Sequence, residues 1–190
     1  MRIGCVVLAA GNSSRFQENK LFADFRGNVL IRYAFTCIPK EFREDTRVIT
    51  QYEKAAILAE SFGYSPIMNT NPDWGISHSI HLGTKALSDC DGILFLLADQ
   101  PLLRPSSCEK IIKTFQLHPG KIVCAKSSDH IGNPTVFPKI LFPELLALRG
   151  DRGGKQIIKS HPELTVNVEI DPEELWDCDT KEDLERLKSS

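Results

Sequence analysis

Ile3-Gly4-Cys5-Val6-Val7-Leu8-Ala9-Ala10-Gly11-Asn12-Ser13-Ser14-Arg15-Phe16-Gln17-Glu18-Asn19-Lys20 is the stretch from which the rest of the chain can be read. Its first half is apolar and rich in β-branched residues, the pattern of a buried strand. Its second half is a loop of small residues ending in two cations, Arg15 and Lys20. Ala9, Ala10, Gly11, Ser13 and Ser14 let phosphate oxygens approach the backbone, and successive N–H groups can form an anion nest. Arg15 offers a planar fork and Lys20 a mobile point charge. The loop is neither a Walker A motif nor the G-x-G-x-x-G of dinucleotide folds. Composition alone leaves a plain Gly/Ser connection with two solvated cations equally open.

Outward from that stretch, apolar runs alternate with amphipathic ones. Strands are expected at 3–9, 47–50, 66–68, 92–98, 122–125, 135–137 and 165–170. Helices are expected at 29–37, 53–62, 77–87, 106–117, 141–148, 153–159 and 181–188. Ile93-Leu94-Phe95-Leu96-Leu97 is apolar at every position, as in a strand covered on both faces. The alternation predicts an α/β sheet with helices on both sides. No repeat, low-complexity tract or linker interrupts it, so residues 1–190 read as one domain, long enough to bury about 70% of its unfolded surface.

The bulk numbers narrow the partners. The net charge is -2 with 25% charged residues, which leaves no broad basic face for nucleic acid or an anionic membrane. The six cysteines show neither zinc-ligand nor disulfide-framework spacing and read as free thiols of a cytoplasmic protein. The chain opens on a core strand rather than a signal peptide, and no apolar run is long enough to span a membrane.

Open α/β sheets bind ligands beyond the carboxyl ends of their strands. Asp99, in Leu96-Leu97-Ala98-Asp99-Gln100-Pro101, leaves the wholly apolar strand and should share a crevice with the first loop. A carboxylate there suits Mg²⁺, which takes one or two protein carboxylates plus substrate phosphates. It equally suits a turn cap before Pro101. In Asp73-Trp74-Gly75-Ile76-Ser77-His78-Ser79-Ile80-His81, Gly75 allows close approach of a base and Ser79 can hydrogen-bond it. His78 and His81 lack a third metal ligand and read as solvated or packing residues, and Trp74 reads as a cover for a ligand or, by a small margin, for core. Gly132-Asn133-Pro134 precedes a strand. In Gly150-Asp151-Arg152-Gly153-Gly154-Lys155, Asp151 is either ligand-facing or the N-cap of the next helix. Asp177-Cys178-Asp179-Thr180 offers a second metal ligand or a cap for the last helix. No nucleophile elbow or Cys/His signature is present, and nucleotidyl transfer needs neither.

Taken together and in order, these segments resemble the molybdenum cofactor cytidylyltransferases of the MobA-like NTP transferase family. The resemblance runs from Leu8-Ala9-Ala10-Gly11 with Ser13, Arg15 and Lys20, through Ser79–Gly83, Ala98–Pro101, Gly132–Pro134 and Gly150–Gly153, to Asp177–Thr180 with Glu182-Asp183-Leu184. It implies a three-layer Rossmann-like nucleotide-diphospho-sugar transferase fold (glycosyltransferase-A type) with a mostly parallel central sheet. The implied reaction is Mg²⁺-dependent. It joins CTP to a molybdopterin-type cofactor and gives the cytosine dinucleotide cofactor plus pyrophosphate. By position, Leu8, Ala9, Ala10, Gly11, Ser13, Ser14, Arg15, Lys20, Gly75 and Ser79 would hold the nucleotide. Arg15, Lys20 and Asp99 would carry the catalysis, and Asp99 and Asp179 the metal. Gly132, Asn133, Pro134, Asp151 and Arg152 would face the acceptor. Ala10 goes with cytosine, where guanylyl enzymes usually have Gly. Gln17 stands where the family commonly has Gly, and Ile131-Gly132-Asn133 where it usually has Arg-Gly-His. Two further readings are kept. One is a guanylyl, sugar-phosphate or polyol-phosphate transferase of the same fold. The other is a non-catalytic carrier that delivers the finished cofactor to a molybdenum hydroxylase.

Overall fold

A computed structural model describes residues 1–12, 16, 19–128 and 130–189. Nine strands are described: β1 (Ile3–Ala9), β2 (Asp24–Phe25), β3 (Asn28–Val29), β4 (Thr46–Thr50), β5 (Ser65–Met68), β6 (Gly92–Leu97), β7 (Ile122–Ser127), β8 (His130–Pro138) and β9 (Thr165–Glu169). The α-helices are α1 (Ile31–Thr36), α2 (Glu53–Ser61), α3 (Ile76–Ala86), α4 (Pro105–Leu117), α5 (Phe142–Ala147), α6 (Lys155–Ser160) and α7 (Lys181–Ser189).

Seven strands form one sheet in the order β5-β4-β1-β6-β8-β7-β9. β1 lies centrally and pairs in parallel with β4 (Val7 opposite Val48) and β6 (Val6 opposite Phe95). β8 alone runs against the rest, antiparallel to both β6 and β7. The sheet is therefore mostly parallel, as expected. The carboxyl ends of β1, β4, β6, β7 and β9 all lie along one edge.

Alternation along the strands sorts the apolar residues onto two faces. Cys5, Val7, Leu94, Leu96, Val123 and Ala125 pack with Phe35 of α1, Ala55 of α2, Ile111 and Phe115 of α4, and Leu184 of α7. Val6, Ile93, Phe95, Ile122 and Cys124 pack with Ile80 of α3, Leu145 of α5 and Ile158 of α6. This is the three-layer arrangement. All six cysteines are buried free thiols within these layers. A Cβ on Gly83 would stand 2.8 Å from both methyl groups of Val6, so glycine lets α3 lie close over β1 and brings its N-terminus to the strand's exit.

Two local expectations change. Residues 24–29 form a hairpin, with Arg26 (φ 48°) and Gly27 (φ 83°) both left-handed at its turn, so α1 begins at Ile31 and not at 29. Gly132, Asn133 and Pro134 lie inside β8, not before a strand. The register against β7 slips between Cys124, opposite Thr135, and Ala125, opposite Gly132. That bulge leaves Asn133 and Pro134 outside the ladder, where a proline's missing N–H costs nothing. The Thr135 hydroxyl donates to the Gly132 carbonyl at 2.9 Å across it.

Candidate functional site

The loop after β1 is fastened from one side. Gln51 Nε2, just beyond β4, donates to the Ala10 carbonyl at 2.8 Å and to Asn12 Oδ1 at 2.7 Å. The Tyr52 hydroxyl donates to the Gly11 carbonyl at 2.7 Å. Burial holds the Tyr52 phenol above its ordinary pKa, so it stays a donor. In a trans peptide the following N–H points away from the carbonyl. With the carbonyls of Ala10 and Gly11 committed toward β4, the N–H groups of Gly11 and Asn12 face away from Gln51 and Tyr52. Asn12 Nδ2 closes the far side on Asp73 at 3.0 Å. Ser13, Ser14, Arg15 and Gln17 lie outside the described residues.

Lys20 opens a short 3₁₀ turn (Lys20–Phe22) whose first residue is capped by the Asn19 side chain, which accepts from the Leu21 N–H. Its amino group reaches back to Asp99 Oδ2 at 2.7 Å and Asp179 Oδ1 at 2.9 Å. Burial disfavours its charge, but Asp99 first and Asp179 second more than offset that, and its pKa stands above the ordinary value. Asp99 is set by the end of β6, and Asp179 by the segment between β9 and α7. The Cys178 N–H donates to the Asp99 carbonyl at 2.9 Å and clamps the two exits together. Asp183 fixes the start of α7, accepting from the N–H groups of Asp179 (3.2 Å) and Thr180 (3.0 Å) while Thr180 Oγ1 accepts from its N–H (3.1 Å). The acid next door, Asp177, is held by Gln100 Nε2 at 3.0 Å. Burial, reinforced by the charge of Asp99, pushes its carboxyl up to about 6.

A cavity of about 350 Å³ joins these parts. Leu8, Ala9, Ala10, Gly11, Lys20, Gly75, Ser79, Asp99 and Asp179 all line it, so the described members of the expected nucleotide and metal sets come together. A second cavity of about 380 Å³ adjoins it and shares Leu8, Ile76, Leu97 and Asp151. Gly132, Asn133, Asp151 and Arg152 line this second space, and Pro134 does not. Its floor is apolar, with Ile80, Leu145, Ile158 and the edge-to-face pair Phe95–Phe137 (ring centroids 6.0 Å apart), and Lys155 and Gln156 stand at its rim.

The wall between the cavities is built on Gly75, which has φ 82° and ψ 179°, a conformation open essentially to glycine alone. It turns the chain into α3 and lets the Ser77 N–H donate to the Gly150 carbonyl at 3.2 Å. Asp151 is thereby held on both cavities. It does not cap α6, which starts at Lys155 behind Gly154. Trp74 does not cover core. It is 62% exposed and stands edge-on to His78 at 4.9 Å, because Gly75 turns α3 inward and leaves the preceding residue outside. Gln51 and Tyr52 were not among the residues expected at the site, and Lys155, quoted in its segment, had been given no role. The first two follow β4, a strand exit next to β1, which the strand-end rule could have flagged.

Two carboxylates converging on one cation suit a hard divalent ion that completes its shell with water and phosphate oxygens. No group of three or more His, Cys, Asp or Glu ligands occurs among the described residues. The arrangement can neutralise a polyphosphate beside a space for a second substrate.

The model of the MobA-like NTP transferase domain matches residues 5–165. The chain belongs to the MobA-like NTP transferase family. It is 25% identical over 197 residues to the purine catabolism protein PucB of Bacillus subtilis, covering 96% of this chain and 94% of PucB. It is 32% identical over 132 residues to the 8-amino-3,8-dideoxy-manno-octulosonate cytidylyltransferase of Shewanella frigidimarina, covering 66% of this chain. The chain spans only about half (52%) of that relative's length. The crystal structure of Rv0371c from Mycobacterium tuberculosis superposes with a TM-score of 0.84 over 100% of this chain and 98% of that one, at 22% identity. The same mycobacterial protein has been solved in complex with manganese. As a member of this family, the protein is a nucleotidyltransferase that binds nucleoside triphosphate. No helix among the described residues is long and apolar enough to cross a membrane.

Proposed function

We propose that the protein transfers the cytidylyl group of CTP to the terminal phosphate of a molybdopterin-type cofactor, giving the cytosine dinucleotide cofactor and pyrophosphate. The observation that carries this is the pair of adjoining cavities that meet at Asp151. One is walled by a small-residue loop, a buried lysine and two carboxylates, and the other has an apolar, aromatic floor with cations at its rim. A phosphate oxygen of the acceptor attacks the α-phosphorus of CTP in line. The new P–O bond forms as the bond from the α-phosphorus to the bridging oxygen breaks, and pyrophosphate leaves with that electron pair. The attacking phosphate is already ionised, so no general base is required. Lys20, with Arg15, neutralises the triphosphate, and the N–H groups of Gly11 and Asn12 receive its oxygens. Asp99 and Asp179 would hold Mg²⁺, which supplies Lewis-acid neutralisation of phosphate charge when bound. Gly75 and Ser79 adjoin the base, Ala10 favours cytosine, and Arg152 and Lys155 meet the acceptor's negative charge where the family's arginine before Gly132 is missing.

The cytidylyltransferase relative supports CTP over the other nucleotides. The apolar floor of the second cavity favours a flat ring system over a polyhydroxylated sugar, which would leave its hydroxyls without partners there. The product's recipient in this reading is a molybdenum hydroxylase. Asp99→Asn is the test. It keeps the side chain's shape and removes the charge at the metal position. Loss of pyrophosphate release by a protein that still folds is expected, and near-normal turnover would overturn the assignment.

A further inference from the structure

Asn69 follows the last residue of β5 and is 2% exposed. Its own N–H donates to the Thr50 carbonyl at 2.7 Å, which anchors it to the end of β4. Its Oδ1 accepts from the Asn71 N–H at 2.9 Å. A backbone N–H can only donate, so that end of the amide is the oxygen. The other end is therefore the NH₂ group, and it faces Ser79 Oγ at 3.0 Å. Ser79 is forced to accept. The proton of its hydroxyl then has to go elsewhere, and among the described residues it donates to none. Thr84, one and a half turns along the same helix, shows the usual disposal, donating to the Ile80 carbonyl at 2.8 Å. Ser79 lines the first cavity, so its proton is directed there.

We infer that Asn69 is a positioning residue for the base of the bound nucleotide. It fixes the Ser79 hydroxyl as a hydrogen-bond donor into the first cavity and so demands an acceptor, a carbonyl oxygen or an unprotonated ring nitrogen, on the base that sits there. This rests on the reading of that cavity as the nucleotide site. Asn69 never touches the ligand in this account. It acts by denying Ser79 any other use for its proton, because an undischarged hydroxyl at a site closed over by a base costs binding energy.

Asn69→Asp reverses the polarity with little change of shape. One carboxylate oxygen keeps the Asn71 N–H, and the other draws the Ser79 proton away from the cavity. Binding of CTP, UTP, GTP and ATP by calorimetry should show the preferred nucleotide weakened roughly tenfold or more in N69D, the scale of one hydrogen bond. KM should rise more than kcat falls. Ser79→Ala should weaken binding to a similar degree, and N69D should add nothing further in the S79A background. A penalty for N69D that persists in S79A marks added charge or altered packing and overturns the inference, as does binding by N69D within about twofold of the parent. Parent-like affinity in S79A, which leaves the turn from Asn69 to Asn71 intact, overturns it whether or not N69D folds. Failure of the parent to bind any of the four nucleotides overturns the nucleotide reading itself, and the inference with it.

Discussion

Gly75→Ala is the perturbation that probes how the two cavities are held apart. Alanine at this position meets two penalties. The backbone, at φ 82° and ψ 179°, lies in a region that costs a residue with a side chain about 1–3 kcal/mol. The added Cβ would stand 2.4 Å from both the carbonyl carbon and oxygen of Gly150 and 2.6 Å from Asp151 Oδ1. Two of those three atoms are backbone, so no rotamer change relieves the overlap. Residues 150–151 have to lift off the start of α3, and the bond from the Ser77 N–H to the Gly150 carbonyl goes with them, a further loss of about 1 kcal/mol. Overpacking of this kind typically costs about 1–3 kcal/mol, and partial movement of the loop trades some of that for a displaced Asp151. The net is about 3 kcal/mol or more, which for a chain of this length is a drop in Tm of about 6–12 °C. Thermal denaturation followed by circular dichroism reads the first effect, and nucleotide calorimetry reads the second, a weakened affinity. A variant melting within about 2 °C of the parent with unchanged nucleotide affinity would refute the claim that this contact builds the wall.

Two further outcomes follow from the ion pairs. Lys20→Met keeps the length of a buried side chain while removing the charge between Asp99 and Asp179, and should lower kcat/KM roughly 10²–10³-fold, the scale of one lost phosphate-stabilising group. Steady-state pyrophosphate release checks it, and a loss under about threefold contradicts it. His161 is held above its ordinary pKa by its hydrogen bond to Glu144 at 2.9 Å, against the opposing effect of burial. Its folded pKa exceeds the unfolded one, so its contribution to stability is fully present below about pH 6.5 and is lost as pH rises through the folded value. An NMR titration should show the His161 pKa falling in Glu144→Gln, and no change would contradict the pairing.

Much of this was legible in the chain itself because it follows from local chemistry. The unbroken apolar run at 93–97 can only be a strand covered on both faces, and the strand-end rule then put Asp99 opposite the β1 loop. Asp177-Cys178-Asp179-Thr180 was readable as a cap for the last helix, and Thr180 forms it with Asp183, three residues on. What was not legible depends on contacts distant in sequence or on turns too short to leave a pattern. Gln51 and Tyr52 reach the β1 loop across about forty residues, and no periodicity records such a bond. The reversed strand β8 and its bulge at Asn133 and Pro134 arise from pairing with β7, which the eye reads only as a run of polar residues before Thr135. The hairpin at 24–29 has two residues on each side, below the length at which alternation can be seen. Trp74 looked like core because tryptophan usually is. Only the backbone at Gly75 shows that it is turned out.

The reaction proposed for this site is a cytidylyl transfer to a phosphorylated pterin-type acceptor. It is tested most directly by incubating the purified protein with Mg²⁺, a molybdopterin-type cofactor and each of the four nucleoside triphosphates in turn, and measuring pyrophosphate together with the dinucleotide formed. Pyrophosphate and the cytosine dinucleotide are expected with CTP, and little product with the others. Preference for GTP would overturn the reading of Ala10. Tight binding of the finished cofactor with no turnover of any nucleotide would contradict the transfer itself.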